Sequence, residues 1–342
     1  MGIRIVAEIG CNHNGQVQMA EKMLVKAYEC GATTVKFQIF NSENLVSVIA
    51  PKAEYQTRNT HSNESQIQML KKLELDRAEY LQIKKLADEV GIEIFATAFD
   101  EASVDFLHSI GQKIWKIPSG EITNLPLLEK IRDLECCDKE IILSTGMSTI
   151  EEIRAATACL EGSKDTKLTI LHCNTDYPTV DTDMNVLAMT KLAKDFPSWH
   201  VGLSDHSLGT VAAVLSVGLG ATFIEKHFTL DKSFLGPDHV ASVSPEELKQ
   251  LCADVRRAEN MLGQYKKIVT ASEEKNKFVA RKSIVAKKNI KKGEIFSKDN
   301  LTCKRPGNGI SPMHWYEILG KKAEKNFVGD ELISCSGYPW EE

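Results

Sequence analysis

The chain has no apolar run long enough to cross a bilayer, no cysteines at C-x-x-C spacing and no large excess of charge of either sign. Each absence excludes a class. A helical membrane span needs about 20 consecutive apolar residues, so a membrane-embedded protein is not expected. A formal net charge of −5, from 42 Lys plus Arg against 47 Asp plus Glu, offers no global attraction to nucleic acid or to an anionic membrane. Signal-peptide features are missing too: Arg4 precedes the short strand-like run Ile5 to Ile9, and polar Cys11, Asn12 and His13 follow. The nine cysteines are Cys11, Cys30, Cys136, Cys137, Cys159, Cys173, Cys252, Cys303 and Cys335. Their scatter fits neither a metal knuckle nor a secreted disulfide framework, and predicts reduced thiols in a cytoplasm, used as small apolar fillers.

The length of 342 residues, 42% hydrophobic and 26% charged, suits one large globular domain plus a small one. Eight short runs read as strands: Arg4 to Glu8, Thr34 to Gln38, Glu93 to Thr97, Lys113 to Ile117, Glu140 to Ser144, Leu168 to His172, His200 to Ser204 and Thr222 to Phe228. Helix-like stretches lie between them. Met19 to Cys30, Ala78 to Val90 and Ala102 to Ile110 each run into a glycine, where a helix C-cap commonly falls. Ser148 and Glu151 have capping-box spacing, which gives Ser148 the role of starting a helix. A doubly wound sheet would usually carry G-x-G-x-x-G after its first strand, but Gly10-Cys11-Asn12-His13-Asn14-Gly15 stands there, and Phe223 breaks the pattern begun by Gly218 and Gly220. The expected architecture is therefore a (β/α)8 TIM barrel over residues 1–262, a polar linker over 263–280 and a small β-rich unit over 281–342. In that unit Ser283 to Ala286, Ile295 to Phe296 and Leu301 to Lys304 read as strands, and Pro312 to Leu319 as a short helix.

In such a barrel the chemistry sits at the carboxyl ends of the strands. The residues there are Glu8; Lys36 and Gln38; Thr97; Lys116, Ser119 and Glu121; Ser144; His172; Asp205 and His206; Glu225 and His227. Strand period two puts Lys36 with Gln38, and Glu225 with His227, on one inward face. An inward lysine in an apolar strand needs an anionic partner, so Lys36 and Lys116 together suggest a multiply charged ligand such as a phosphate or carboxylate. Ser119, Ser144 and Thr97 could add neutral hydrogen bonds, although each alone would be an ordinary satisfied hydroxyl. His206 and His227 end the seventh and eighth strands, about 5 Å apart in a barrel, and with Asp205 and Glu225 nearby they could share a metal. Many oxygen donors and few cysteines favour manganese over structural zinc. Glu8, in an apolar stretch, could be a general acid or base, or a salt-bridge partner of an inward lysine.

The ordered set of motifs is more specific than any one residue. It comprises Glu8-Ile9-Gly10-x-Asn12-His13-x-Gly15, Val35-Lys36-x-Gln38, Lys116-x-x-Ser119-Gly120-Glu121, Ser144-Thr145-Gly146-Met147, Tyr177-Pro178-Thr179, Gly202-Leu203-Ser204-Asp205-His206, Glu225-Lys226-His227-Phe228 and Gly236-Pro237-Asp238. With Lys304-Arg305-Pro306-Gly307-Asn308-Gly309 beyond the barrel, the chain resembles the sialic acid synthase family, whose C-terminal part is a small β-rich SAF, or antifreeze-like, domain. The resemblance implies that Lys36, Thr97, Lys116, Ser119, Ser144 and Ser204 bind phosphoenolpyruvate. It implies Mn2+, with Mg2+ or Co2+ as alternatives, on His206 and His227, and Glu8 as the catalytic carboxylate supported by Glu225. Gln38, Glu121, Tyr177 and Asp238 would line the sugar site, and Arg305 would reach the sugar's N-acetyl group from the other subunit of a domain-swapped homodimer. Thr175 stands where some members place an asparagine against phosphoenolpyruvate. The activity so implied is condensation of phosphoenolpyruvate with N-acetylmannosamine to N-acetylneuraminate. The sister branch, which makes N,N'-diacetyllegionaminate from 2,4-diacetamido-2,4,6-trideoxymannose, shares nearly every motif. A non-catalytic carbohydrate-binding protein, suggested by the terminal domain alone, leaves the inward lysines and paired histidines unexplained.

Overall fold

Short apolar runs with β-branched residues form the strands β1 (Arg4–Glu8), β2 (Thr34–Ile39), β3 (Glu93–Ala98), β4 (Ile114–Ile117), β5 (Glu140–Ser144), β6 (Lys167–Cys173), β7 (His200–Asp205) and β8 (Phe223–His227). The structure, a computed structural model, describes residues 2–163 and 166–338. Every recorded pairing among β1–β8 is parallel, in the order β3-β2-β1-β8-β7-β6-β5-β4. The ring closes between β3 and β4, where the Gln112 side chain mimics a strand: its amide oxygen accepts from the Ala96 N–H at 2.8 Å and its NH2 donates to the Ala96 carbonyl at 2.9 Å.

The intervening helices are α1 (Val17–Glu29), α2 (Ser42–Leu45), α3 (Glu54–Thr60), α4 (Gln66–Lys71), α5 (Arg77–Val90), α6 (Glu101–Ser109), α7 (Leu125–Asp133), α8 (Ile150–Leu160), α9 (Ala188–Asp195), α10 (Val211–Gly218) and α11 (Pro245–Leu262). The expected barrel is thus present. Two cores follow from strand period two. Val6, Phe95, Ile114, Ile142, Leu171 and Phe223 fill the barrel interior, while Ile5, Ala7, Val35, Phe37 and Leu143 pack outward in the layer that includes the helices. Since Val6 points inward, Glu8 does too, and the register sets it beside Lys36 on β2 and His227 on β8.

Three local expectations change. α8 begins one residue later than the Ser148 and Glu151 pair suggests: Thr149 caps it, with the Glu152 carboxylate accepting from the Thr149 N–H at 2.7 Å. Both pairs have the same spacing, and Ser148 instead donates to the Gly146 carbonyl at 3.2 Å. His172 faces outward, its Nε2 2.7 Å from the Met184 carbonyl oxygen, because it is out of phase with inward Thr169 and Cys173. The segment read as a linker contains a helix, α12 (Ala271–Ala280), started by Thr270 with Glu273. It buries no residue, so no apolar stripe announces it.

The chain divides into two compact units, Met1–Gly263 and Gln264–Glu342. In the second, β9 (Ser283–Ala286) and β10 (Leu301–Lys304) pair antiparallel, and α13 (Trp315–Ile318) follows. Its own core gathers Ile284, Phe296, Leu301, Ile318 and Phe327. Among the described residues no helix is long and apolar enough to cross a membrane.

Candidate active site

Glu8, Lys36, Lys116 and Glu225 point into the barrel just above its apolar plug, and all four are buried. Lys36 Nζ lies 2.9 Å from Glu8 Oε2 and 3.4 Å from Glu225 Oε1, and Lys116 Nζ lies 3.2 Å from the same Glu225 oxygen. Ser204 donates to Glu225 Oε1 at 3.2 Å, and Gln38 donates to Glu8 Oε1 at 2.8 Å. Two ammonium groups thus face two carboxyl groups. The turn after β1 depends on Gly10, which has φ +43°; a Cβ there would lie 2.3 Å from Glu8 Oε1.

These charges open into a cavity of about 430 Å³ at the carboxyl ends of the strands. Of the first-unit residues that the resemblance assigns to the site, Thr97 alone is not part of its lining: fully buried, it lies 3.4 Å from Lys36 Nζ. Ser119 and Ser144 lie on the β4–β5 side, and the Ser119 hydroxyl accepts from the Gly146 N–H at 2.9 Å. A Cβ at Gly146 would press on Ser119 Oγ at 2.8 Å and on Thr175 at 2.6 Å, so this turn also needs glycine. Thr175 does line the cavity, whereas Asn174 turns its carbonyl to His206. Buried Ser144 Oγ, Glu225 Oε2 and Asp238 Oδ1 have no hydrogen-bond partner, which marks a surface built to meet a polar ligand.

Burial pushes the Glu8 carboxyl upward and outweighs the pull of Lys36, so Glu8 holds a proton more readily than an ordinary glutamate. Burial acts on Glu225 in the same sense, but Lys116 and Lys36 override it and hold it at about 2. Burial lowers Lys116, with only partial compensation from Glu225. In Lys36 the same burial is outweighed by Glu225 and Glu8, and the net direction is upward. The environments of the two glutamates therefore diverge: burial favours the protonated form of Glu8, whereas the lysines favour the ionised form of Glu225.

The imidazoles of His206 and His227 meet edge to face, with centroids 5.1 Å apart. Burial, then His206, pushes His227 well below its usual range, so it is neutral with a lone pair to offer. Its Nδ1 lies 3.5 Å from Asp238 Oδ2 and makes no hydrogen bond. His206 Nδ1 bonds the Asn174 carbonyl, which leaves Nε2 toward Ser204 Oγ at 3.5 Å. Burial opposes protonation of His206 as well, but Cys173 and the Asn174 carbonyl outweigh it. Burial, against His206, lifts Asp238 to about 7. Among the described residues no three His, Cys, Asp or Glu side chains converge as a complete metal cage. Two buried nitrogens beside a carboxyl fit a cation whose shell is completed by ligand oxygen or water. Asp205 departs from expectation: it points outward and pairs with Lys226 at 2.9 Å, both fully buried, so it does not support the histidines.

Tyr177 stacks on His206 with centroids 4.0 Å apart, and Tyr55 of α3 stacks on Tyr177 at 4.8 Å. Gln38, Glu121, Tyr177 and Asp238 all line the cavity. Arg305 belongs to the second unit, where it is exposed and precedes Pro306 through a cis peptide. Two contributions escaped the sequence reading. Cys173, taken as filler, lines the cavity with its sulfur 3.8 Å from His206 Nδ1; its inward phase on β6 was the available signal. The excursion between β2 and α5 supplies Tyr55, Gln56, Gln66, Met69 and Leu70 to the wall.

Comparison with known proteins agrees with this geometry. The NeuB family model matches residues 23–267, and the SAF domain model matches residues 281–336. An N,N'-diacetyllegionaminic acid synthase from Campylobacter jejuni subsp. jejuni is 50% identical over 331 residues, covering 96% of this chain and 98% of its own. One from Legionella pneumophila subsp. pneumophila is 43% identical over 336 residues, covering 96% and 93%. Among solved structures, the N-acetylneuraminic acid (sialic acid) synthetase of Leptospira borgpetersenii superposes with a TM-score of 0.70 at 32% identity, over 81% of this chain and 90% of its own.

Proposed function

Because this chain belongs to the NeuB family, and is thus an enzyme that joins phosphoenolpyruvate to an acetylated amino sugar, we propose that its sugar is 2,4-diacetamido-2,4,6-trideoxymannose and its product N,N'-diacetyllegionaminate. The observation that carries this is the 50% identity, across nearly the whole of both chains, to a protein bearing that activity's name. The motifs had put N-acetylmannosamine first. They could not discriminate, because they belong to the reacting centre that both branches share, and the relatives favour the sister branch.

The chemistry follows from the cavity. Lys36 and Lys116 receive the anionic groups of phosphoenolpyruvate, with Ser119, Ser144 and Ser204 as hydroxyl donors, and Thr97 steadies Lys36. Held there, phosphoenolpyruvate attacks the open-chain sugar through its C3, which bonds to the aldehyde carbon C1. Glu8, whose carboxyl burial pushes upward and whose orientation is fixed by Gln38, protonates the oxygen left at sugar C1. As a carboxylate it then accepts a proton from the water that adds at C2, and the tetrahedral intermediate loses phosphate by C–O cleavage. Glu225 stays ionised and holds both ammonium groups in place. Tyr177, Gln38, Glu121 and Asp238 orient the sugar, and Asp238, at about 7, can donate to or accept from a hydroxyl. His206 and His227 would hold the divalent cation, Mn2+ with Mg2+ or Co2+ as alternatives, which when bound polarises the sugar's carbonyl.

The family resemblance further supports a homodimer in which Arg305 of one copy orients the sugar's amide for the other, and a cytoplasmic site of action. The test of the main reading is direct: purified protein, phosphoenolpyruvate, Mn2+ and either sugar, with the nonulosonic acid identified by mass. A kcat/KM favouring N-acetylmannosamine would refute it.

A further inference from the structure

The cavity is not uniform around its rim. Charged, hydroxyl and imidazole groups come from β1, β2 and β4 to β8, whereas the remaining wall comes from the excursion between β2 and α5 and from Phe99 just after β3. Along it Phe40, Leu45, Val46, Met69, Leu70 and Phe99 present carbon. Phe40 and Phe99 meet edge to face at 6.0 Å, and Phe40, Met69 and Leu70 belong to one small buried cluster. On this wall α4 turns Gln66, Met69 and Leu70 to the cavity. Their spacing of i, i+3 and i+4 makes them one helix face. That face is a single amide flanked by two flexible apolar chains.

A carbon-rich wall receives methyl groups well and a row of hydroxyls badly, since each hydroxyl pressed against it gives up water without replacement. A side-chain amide, in contrast, offers both a donor and an acceptor to another amide. The reacting end of the sugar must lie at the ionic centre, so its far end turns to the wall that carries no charge.

We propose that this face of α4 is the specificity surface of the enzyme, with Gln66 pairing with the acetamido group at C4 and Met69 and Leu70 packing on the methyl at C6. The inference rests on the diacetamido reading above. N-acetylmannosamine carries hydroxyls at both positions and loses on both counts.

The experiment gives the enzyme phosphoenolpyruvate, Mn2+ and equal amounts of the two sugars, and reads the ratio of the two nonulosonic acids by mass. Wild type is compared with Gln66→Leu and Met69→Gln. Gln66 is only partly buried, so its replacement spares the packing, and Met69→Gln, of nearly equal size, probes the buried contact separately. In each variant the ratio should fall roughly 10-fold toward N-acetylneuraminate, as expected when one matched contact is lost in such a pocket. The KM for phosphoenolpyruvate should not change. An unchanged ratio in both variants, with the wild-type preference for the diacetamido sugar intact, overturns the assignment of α4 alone. A wild type that prefers N-acetylmannosamine overturns the parent reading, and this assignment with it.

Discussion

Glu225→Gln removes one negative charge from between two buried lysines while keeping the shape of the side chain. Glu225 Oε1 lies 3.2 Å from Lys116 Nζ and 3.4 Å from Lys36 Nζ, with all three side chains no more than 4% exposed. Lys36 keeps Glu8 as a partner in the variant, whereas the ion pair recorded for Lys116 is lost. Removing one partner of a buried pair typically costs about 3–5 kcal/mol. The acidity of the group leads to a similar figure: a carboxyl held at about 2 rather than 4.5 reflects about 3 kcal/mol of preference for the ionised form. At about 2–4 °C per kcal/mol for a domain of this size, the melting temperature should fall by ~10 °C at pH 7. The assay is thermal unfolding in chelator, with and without phosphoenolpyruvate. Because the ligand brings its own negative charge to the same lysines, its stabilising shift should be larger in the variant than in wild type. Glu225's folded value is depressed, so its contribution is complete above about 4.5 and fades as pH falls toward about 2; the gap between the proteins should narrow over that range. A variant melting within about 2 °C of wild type at pH 7, or a smaller ligand shift, refutes the role of Glu225 as shared counter-ion.

Turnover should vanish in chelator, return with Mn2+, and be lost in His227→Ala, and calorimetry should find Mn2+ affinity reduced in that variant; full activity in chelator contradicts the metal reading. Lys116→Ala should weaken phosphoenolpyruvate binding by at least ~100-fold, the scale of losing a buried charge-assisted contact, with sugar binding little affected. Equal losses for both ligands by calorimetry would remove Lys116 from the anion site. Glu8→Ala and Arg305→Ala should each be nearly inactive. When the two proteins are mixed under conditions of verified subunit exchange, part of the activity should return; persistent inactivity refutes the shared site.

The alternation of strand and helix was legible because it is written in the chain's own periods. Five of the eight barrel strands begin at the residue read from the sequence, the other three within one residue of it, and the inward phase of Lys36, Lys116, Glu225 and His227 follows from counting along each strand. Where two signals had the same spacing, as at Ser148 and Thr149, the sequence held no means of choosing between them. The exposed α12 was hidden for a related reason, since a helix that buries no face leaves no hydrophobic period to detect.

Residue type and phase by themselves determined that a ring of strand ends would carry two lysines, two glutamates and two histidines, because a side chain's face is fixed by the covalent alternation of its own strand. Only the tertiary structure decided which of these meet. Glu225 and Lys116 are separated by 109 residues, and their contact depends on how the sheet closes into a barrel, as does the withdrawal of Asp205 to Lys226 on the outer face. The wall from α2 to α4 was likewise undetermined in the sequence, because short irregular helices take their conformation from what they pack against. Here that is the cavity's own rim, through Tyr55 on Tyr177 and Phe40 on Phe99.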